Sequence, residues 1–174
     1  LGCSTFLSAF LKIFGEHVMV AAVINVILTC LSGLLIYSIC LRLASPLTAA
    51  LAYLLWIVCP SKMMLNPLVF SEPLYTCLVL LFFYLIVLIE QQRGSLPRRL
   101  GVCLLWGLAL GVLLRAVNIV RPISAILIIA LVLWLLFLRG HDIKDGAQWK
   151  MWLVILVALL GIYKATGELW DRHV

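Results

Sequence analysis

The sequence predicts an all-α fold, a polytopic bundle of about six transmembrane helices preceded by a short interfacial helix. Three observations predict it. The 174-residue chain is 66% hydrophobic and only 11% charged, far more apolar than a soluble domain of this size needs. Its mean hydropathy is +1.21, and its apolar residues fall in long uncharged windows. We predict a single membrane domain over residues 1–174, with transmembrane helices over 18–163 and a tail over 164–174.

The uncharged windows predict where each membrane helix lies. They cover residues 18–41, 43–61, 73–89, 100–114, 122–138 and 151–163. A helix rises 1.5 Å per residue, so about 20 residues are needed to cross about 30 Å of hydrocarbon. The first two windows meet that length, whereas the fourth and sixth need flanking charges that snorkel to the surface. The sixth could instead lie in the interface, but a span is the favoured prediction.

Residues 1–17 differ from the rest because Phe6, Phe10, Ile13 and Phe14 recur there at helical spacing. This pattern predicts a short amphipathic helix lying on the outer membrane surface. The chain opens within a pattern and without an initiator Met, so we expect a fragment or a processed product.

The distribution of basic residues predicts the orientation of the helices. Segments 42–46, 90–101 and 139–150 carry most of them, and they alternate with segments 62–72 and 115–121. The positive-inside rule places the first set in the cytoplasm, and it therefore places Glu72, Arg115 and Arg121 on the outer face. The net charge of +6 is spread along the chain. It indicates orientation and contact with anionic lipid headgroups or phosphates rather than nucleic acid.

The run Ser71-Glu72-Pro73 puts a carboxylate at the mouth of a long apolar helix. A charge at membrane depth is costly, so Glu72 is a candidate functional residue. It has two compatible interpretations: it begins the third helix, where a carboxylate favours the helix dipole, or it contacts a polar ligand or a basic partner. Lys62 could pair with Glu72 or bind phosphate, but it more simply marks the membrane interface.

The turn Arg115-Ala116-Val117-Asn118-Ile119-Val120-Arg121-Pro122 is the second candidate site. Pro122 suits the first position of the fifth helix. The partial positive charge of that helix start, together with Arg121, predicts a phosphate site, since a guanidinium can bind two phosphate oxygens. The alternative is that both arginines snorkel to lipid headgroups; it is favoured for Arg115 and evenly balanced for Arg121.

Motifs of other chemistries are missing from the sequence. There is no P-loop, dinucleotide fingerprint, G-x-S-x-G or paired Cys and His nucleophile, and His17, His141 and His173 show no metal-ligand spacing. No cofactor is identified, and a divalent cation is left open. Asn25, in the first helix, is predicted to join helices rather than to catalyse.

Three ordered signals resemble a known family. They are Phe10-Leu11-Lys12-Ile13-Phe14-Gly15 before the helix with Asn25, then Pro60 with Ser71-Glu72, then Gly107-Leu108-Ala109-Leu110-Gly111 before Asn118-Ile119-Val120-Arg121-Pro122. In order and spacing they resemble C-type (GT-C fold) integral membrane glycosyltransferases, the protein O-mannosyltransferase and aminoarabinose-transferase-like enzymes. The resemblance covers about residues 4–140.

This resemblance implies a multi-pass enzyme of the bacterial plasma membrane that takes sugar from a polyprenyl-phosphate-linked donor. It implies an inverting transfer, at the outer face, to a lipid, glycan or protein acceptor. Arg121 would contact the carrier phosphate, and Glu72 would shape the pocket or contact donor or acceptor. The family's catalytic Asp lies in the first outer loop, but no Asp precedes Asp142 here, and the predicted topology places Asp142 and Asp145 in the cytoplasm. We therefore expect part of a binding site without its base.

Two other functions fit the composition. One is a non-enzymatic transporter or flippase-like carrier, whose path Glu72 and the two arginines would line. Charges at helix ends, rather than near the midplane, favour the glycosyltransferase over this alternative. The other is a helical scaffold that the charges merely anchor, and the sequence does not exclude it.

Overall fold

The computed structural model describes residues 18–59, 71–92, 100–121, 124–141 and 146–171. These ranges hold six helices and no strand. The helices are α1 (Val18–Leu43), α2 (Pro46–Val58), α3 (Ser71–Gln91), α4 (Leu100–Val120), α5 (Ser124–His141) and α6 (Gly146–Asp171). The predicted all-α membrane bundle is thus confirmed, while the predicted amphipathic segment 1–17 lies outside the described residues.

Three of the described helices are long and apolar enough to cross a membrane. These spans are Ala22–Leu43, Glu72–Gln91 and Gly101–Val120. Large apolar side chains point outward from them, such as Leu34 at 54% exposure and Leu105 at 67%. Such surfaces are compatible with lipid rather than water. The chain is therefore an integral membrane protein.

The second predicted span is shorter than expected. Helix α2 has 13 residues and is about 20 Å long, below the roughly 30 Å of a hydrocarbon core. Its start is set by Ser45, whose hydroxyl accepts from the backbone N–H of Thr48 at 3.3 Å, with Pro46 in the first turn. The helix ends at Val58, two residues before Pro60. A proline disfavours helical geometry in the residue that precedes it, which here is Cys59.

Other helices are longer than their uncharged windows. The predicted fourth helix, 100–114, continues to Val120, so the predicted turn 115–121 is wrong over most of its length. The sixth, predicted over 151–163, extends over Gly146–Asp171. Arg115 and Lys150 do not break a helix, because long basic side chains favour helical backbone and carry their charge away from the apolar stem.

The chain divides into two compact units, Leu1–Val87 with Ile119–Arg121, and Leu88–Asn118 with Pro122–Val174. In the first unit, α1 and α2 pack as an antiparallel hairpin. Trp56 Nε1 donates to the carbonyl of Thr29 at 3.2 Å, and Tyr37 meets Tyr53 edge to face with ring centroids 6.2 Å apart. Gly33 lies between these contacts, where an added Cβ would approach the Tyr53 ring to 2.9 Å. One face of α1 therefore packs against α2.

Helix α3 runs beside α1 in the same direction within the first unit. Ser32 and Cys77 are both buried, and their side chains lie next to each other. Further along both helices, Arg42 lies 5.4 Å from the Tyr84 ring centroid and donates to its hydroxyl at 3.4 Å. The residue numbers of the contacting pairs increase together along both helices, so α3 runs parallel to α1. This packing fixes the start of α3, where Glu72 lies.

In the second unit, α4 presents a buried face to α6. Gly111 is buried on α4, and so is the series Cys103, Gly107, Leu110, Leu114 and Val117. The spacing within this series alternates between four and three residues, which is the seam pattern of closely packed helices. The pair Gly107 and Gly111 sits four residues apart, in the Gly-x-x-x-Gly pattern that lets membrane helices approach closely.

The approach at these glycines is close enough to involve the α6 backbone. A Cβ on Gly107 would lie 2.9 Å from the Ile155 carbonyl oxygen, and one on Gly111 would lie 2.9 Å from that of Leu159. Gly107 faces Ile155 and Gly111 faces Leu159, so the residue numbers increase together and α6 runs parallel to α4. Its 26 residues extend about 39 Å, so its length and its direction beside a candidate span favour the spanning prediction over an interfacial one. The prediction of a single membrane domain stays a prediction.

Candidate functional site at the start of helix α3

Glu72 lies in the first turn of α3. The two residues that follow it, Pro73 and Leu74, are buried, which anchors this turn in the first unit. The hydroxyl of Thr76 donates to the Glu72 carbonyl at 2.7 Å, so the backbone of Glu72 is held within the helix. Its carboxylate is favoured by the partial positive charge of the helix start.

Arg121 is the residue directly after the last turn of α4. The helix ends there because the next residue in the sequence is Pro122, which pushes the residue before it out of helical geometry. Val117 in the last two turns of α4 is fully buried. The position of Arg121 is therefore set by a local backbone stop at the end of a membrane span.

These two residues, 49 positions apart, form an ion pair. Arg121 Nη2 lies 3.4 Å from Glu72 Oε1, and the side chains are 39% and 38% exposed. This distance exceeds the 2.7–2.9 Å of a short charge-assisted hydrogen bond. The contact uses one terminal nitrogen of a group that has five N–H donors. A guanidinium held so loosely keeps the capacity to bind another oxyanion.

Tyr75 completes the arrangement. The Arg121 guanidinium carbon lies 5.6 Å from the Tyr75 ring centroid, within the range of a cation–π contact. Tyr75 is on α3 one turn after Glu72, so both side chains reach the same arginine. We define Glu72, Tyr75 and Arg121 as the arginine cradle. The carboxylate and the ring restrict the guanidinium from two directions and leave it partly open to solvent or ligand.

The ion pair of the cradle is expected to contribute little to stability. Exposed pairs typically contribute about 0.2–1 kcal/mol, since solvent screens them and both side chains lose freedom. A double-mutant cycle on Glu72→Gln and Arg121→Gln, measured by SDS titration in mixed micelles, should give a coupling energy within that range. A coupling energy of several kcal/mol would instead assign the pair to the structural core.

The other predicted site residues are not part of the cradle. Arg115 and Asn118 lie within α4 and belong to the second unit. Arg115 is partly exposed, yet its Nε atom is buried without a hydrogen-bond partner in the described part of the chain. Asn118 is also partly exposed. Lys62, the remaining predicted contact, lies outside the described residues, as does Pro122 at the predicted start of the fifth helix.

The described residues offer no group of three or more His, Cys, Asp or Glu side chains that could hold a metal ion. Asn25, which was predicted to join helices, is 1% exposed, as a buried helix contact would be. Tyr75 was missed by the sequence reasoning. Its spacing of three residues from Glu72 puts it on the same helical face, which is the signal that could have found it.

Comparison with protein families identifies the chain. Residues 2–165 match the family described as dolichyl-phosphate-mannose-protein mannosyltransferase. This match covers nearly the whole chain. No curated protein and no solved structure was found to match. The match confirms the resemblance to C-type membrane glycosyltransferases and implies a lipid-linked sugar donor. The chain therefore belongs to the dolichyl-phosphate-mannose-protein mannosyltransferase family of integral membrane glycosyltransferases.

Proposed function

We propose that this chain forms the carrier-phosphate site of a multi-pass glycosyltransferase in the bacterial plasma membrane. Sugar passes from a polyprenyl-phosphate-linked donor to a lipid, glycan or protein acceptor at the outer face. Arg121 binds the phosphate of the carrier, and Glu72 and Tyr75 hold its guanidinium in place. We assign no catalytic base to the described residues. Anionic lipid headgroups are further partners of the basic residues at the helix ends.

The arginine cradle is the observation that carries this proposal. A phosphate attached to a polyprenyl chain must sit at the membrane surface, with its tail among apolar side chains. The cradle lies at the expected depth for such a phosphate, because Glu72 is the first residue of one candidate span and Arg121 directly follows the last residue of another. A guanidinium suits phosphate because its planar fork matches two oxygens. The long, single contact with Glu72 leaves that fork available.

The described helices also favour an enzyme over a transporter. Each of α1 to α6 is continuous over its described range, whereas transporters commonly bind substrate at interrupted helices near the midplane. The charged pair of the cradle lies at helix ends instead. Donor and acceptor that meet at the membrane surface need a polar site at that depth.

Phosphate-dependent binding tests the proposal directly. The purified full chain in detergent is titrated with farnesyl phosphate and with farnesol, which shares the tail but lacks the phosphate. We expect Arg121→Gln to weaken farnesyl phosphate binding by roughly tenfold or more, since a hydrogen bond to a charged group contributes about 1.5–3 kcal/mol. Farnesol binding should not change, because the tail makes no use of the guanidinium.

The matched control is Lys164→Gln, which removes one positive charge from an exposed position on α6. It should bind farnesyl phosphate as the unaltered chain does. The proposal would be rejected if Arg121→Gln bound farnesyl phosphate with unchanged affinity. Equal losses in Arg121→Gln and Lys164→Gln would show nonspecific attraction to a basic surface, which is the behaviour of an anchored scaffold.

A further inference from the structure

Glu72 adds a negative charge next to the arginine that is proposed to hold phosphate. The two side chains carry +1 and −1, so the cradle has a net charge of zero while Arg121 Nη2 stays 3.4 Å from Glu72 Oε1. Both side chains are more than one third exposed, so an anion that reaches Arg121 also comes near the carboxylate. A lone arginine would attract anions in proportion to their charge, but this pair does not.

We propose that Glu72 is a specificity-determining residue that sets which charge state of the carrier phosphate the site retains. It permits a singly charged phosphodiester and disfavours a doubly charged phosphate monoester. The inference rests on the proposed function, in which Arg121 binds that phosphate. Tyr75 supports it, because its ring lies against the guanidinium and limits the directions in which Arg121 could swing away from Glu72.

The charge of the carrier phosphate changes during the transfer itself. The acceptor hydroxyl oxygen bonds to the anomeric carbon of the sugar, and the bond from that carbon to the bridging phosphate oxygen breaks. The electron pair of the broken bond stays on the phosphate oxygen, and the hydroxyl proton passes to a base or to solvent. The donor phosphodiester carries one negative charge, whereas the released monoester carries about two above pH 7. Glu72 therefore repels the product more than the donor, which favours product release.

The expected size of the effect follows from Coulomb's law. One extra phosphate charge about 6 Å from the carboxylate, at an effective dielectric constant between that of a protein surface and that of water, changes affinity by roughly tenfold. Loss of the carboxylate should therefore strengthen binding of a doubly charged probe by roughly tenfold more than that of a singly charged probe.

The experiment uses two probes with the same tail, farnesyl phosphate and its methyl ester, at pH 8. At this pH they carry about two and one negative charges, respectively. Dissociation constants are measured on the full chain in detergent. The unaltered chain should bind both probes with similar affinity, and Glu72→Gln should prefer farnesyl phosphate by roughly tenfold. Glu72→Asp, which keeps the charge, should retain the similar affinities.

Glu90→Gln is the matched control, since it removes the same charge from the other end of α3 and should leave the preference unchanged. The inference is overturned if Arg121→Gln weakens both probes while Glu72→Gln leaves their ratio unaltered; the proposed function would survive that result. Unchanged binding of both probes in Arg121→Gln would overturn the proposed function itself. A tenfold preference of the unaltered chain for farnesyl phosphate over its methyl ester also overturns the inference. This measurement uses only the unaltered chain, so it does not depend on whether a variant folds.

Discussion

Replacing Gly107 with alanine should destabilise the chain by about 1–3 kcal/mol, as is usual when atoms are added to a packed interior. The new Cβ would lie 2.6 Å from Ala158 Cβ and 2.9 Å from the Ile155 carbonyl oxygen. A backbone oxygen cannot rotate away as the end of a side chain can, so α4 and α6 must separate. Alanine favours a helix over glycine by up to about 1 kcal/mol, which is too little to offset the loss of contact along the interface.

The measurement is SDS titration in mixed micelles, with the fraction of SDS at the unfolding midpoint as readout. Gly161→Ala is the matched control, because it makes the same change on α6, where an added Cβ meets nothing within 4 Å. This control should unfold at the same SDS fraction as the unaltered chain or at a higher one. If Gly107→Ala proved as stable as Gly161→Ala, the close packing of α4 on α6 would be wrong.

Truncation of Trp152 to alanine should have a larger effect, a loss of about 3 kcal/mol or more. Trp152 is 1% exposed at the start of α6, and its ring meets that of Trp134 on α5 edge to face, with centroids 5.3 Å apart. The truncation removes the largest fully buried side chain among the residues that the structure describes, and it removes the ring contact with Trp134, which by itself contributes about 0.5–1.5 kcal/mol.

Two comparisons make this result interpretable. Leu153→Ala truncates the neighbouring residue, which is 47% exposed, and should change the free energy of unfolding by less than about 0.5 kcal/mol. Trp152→Phe should cost less than alanine, because it keeps a ring and removes a buried Nε1–H that has no hydrogen-bond partner among the described residues. A loss in Trp152→Ala no greater than that in Leu153→Ala would contradict the assigned core of the second unit.

The candidate site was predicted in part. Glu72 is a predicted site residue because a charge beside an apolar window is costly, and Arg121 is one because it precedes Pro122 at a predicted helix start that favours phosphate. The predicted topology puts both on one membrane face. The structure brings them together as an ion pair. Arg115 and Asn118 lie within α4, which continues through both, instead of in the predicted turn. Windows of uncharged residues miss such helix ends, because a long basic side chain can lay its apolar stem along the helix and carry its charge to the membrane surface.

The sequence by itself determined the class of the protein, namely helices that cross a membrane. Backbone polar groups in lipid must be satisfied within each segment, so long apolar runs in this chain can only be helices, and this requirement is local. The sequence also indicated the family, through short motifs such as Gly107 to Gly111 and Asn118 to Pro122. The tertiary structure alone decided which faces meet: the glycines of α4 on the backbone of α6, and Arg121 on Glu72 and Tyr75. Lipid is as apolar as leucine, so helix pairing depends on the shape and hydrogen bonding of particular side chains, which hydropathy along the chain does not encode.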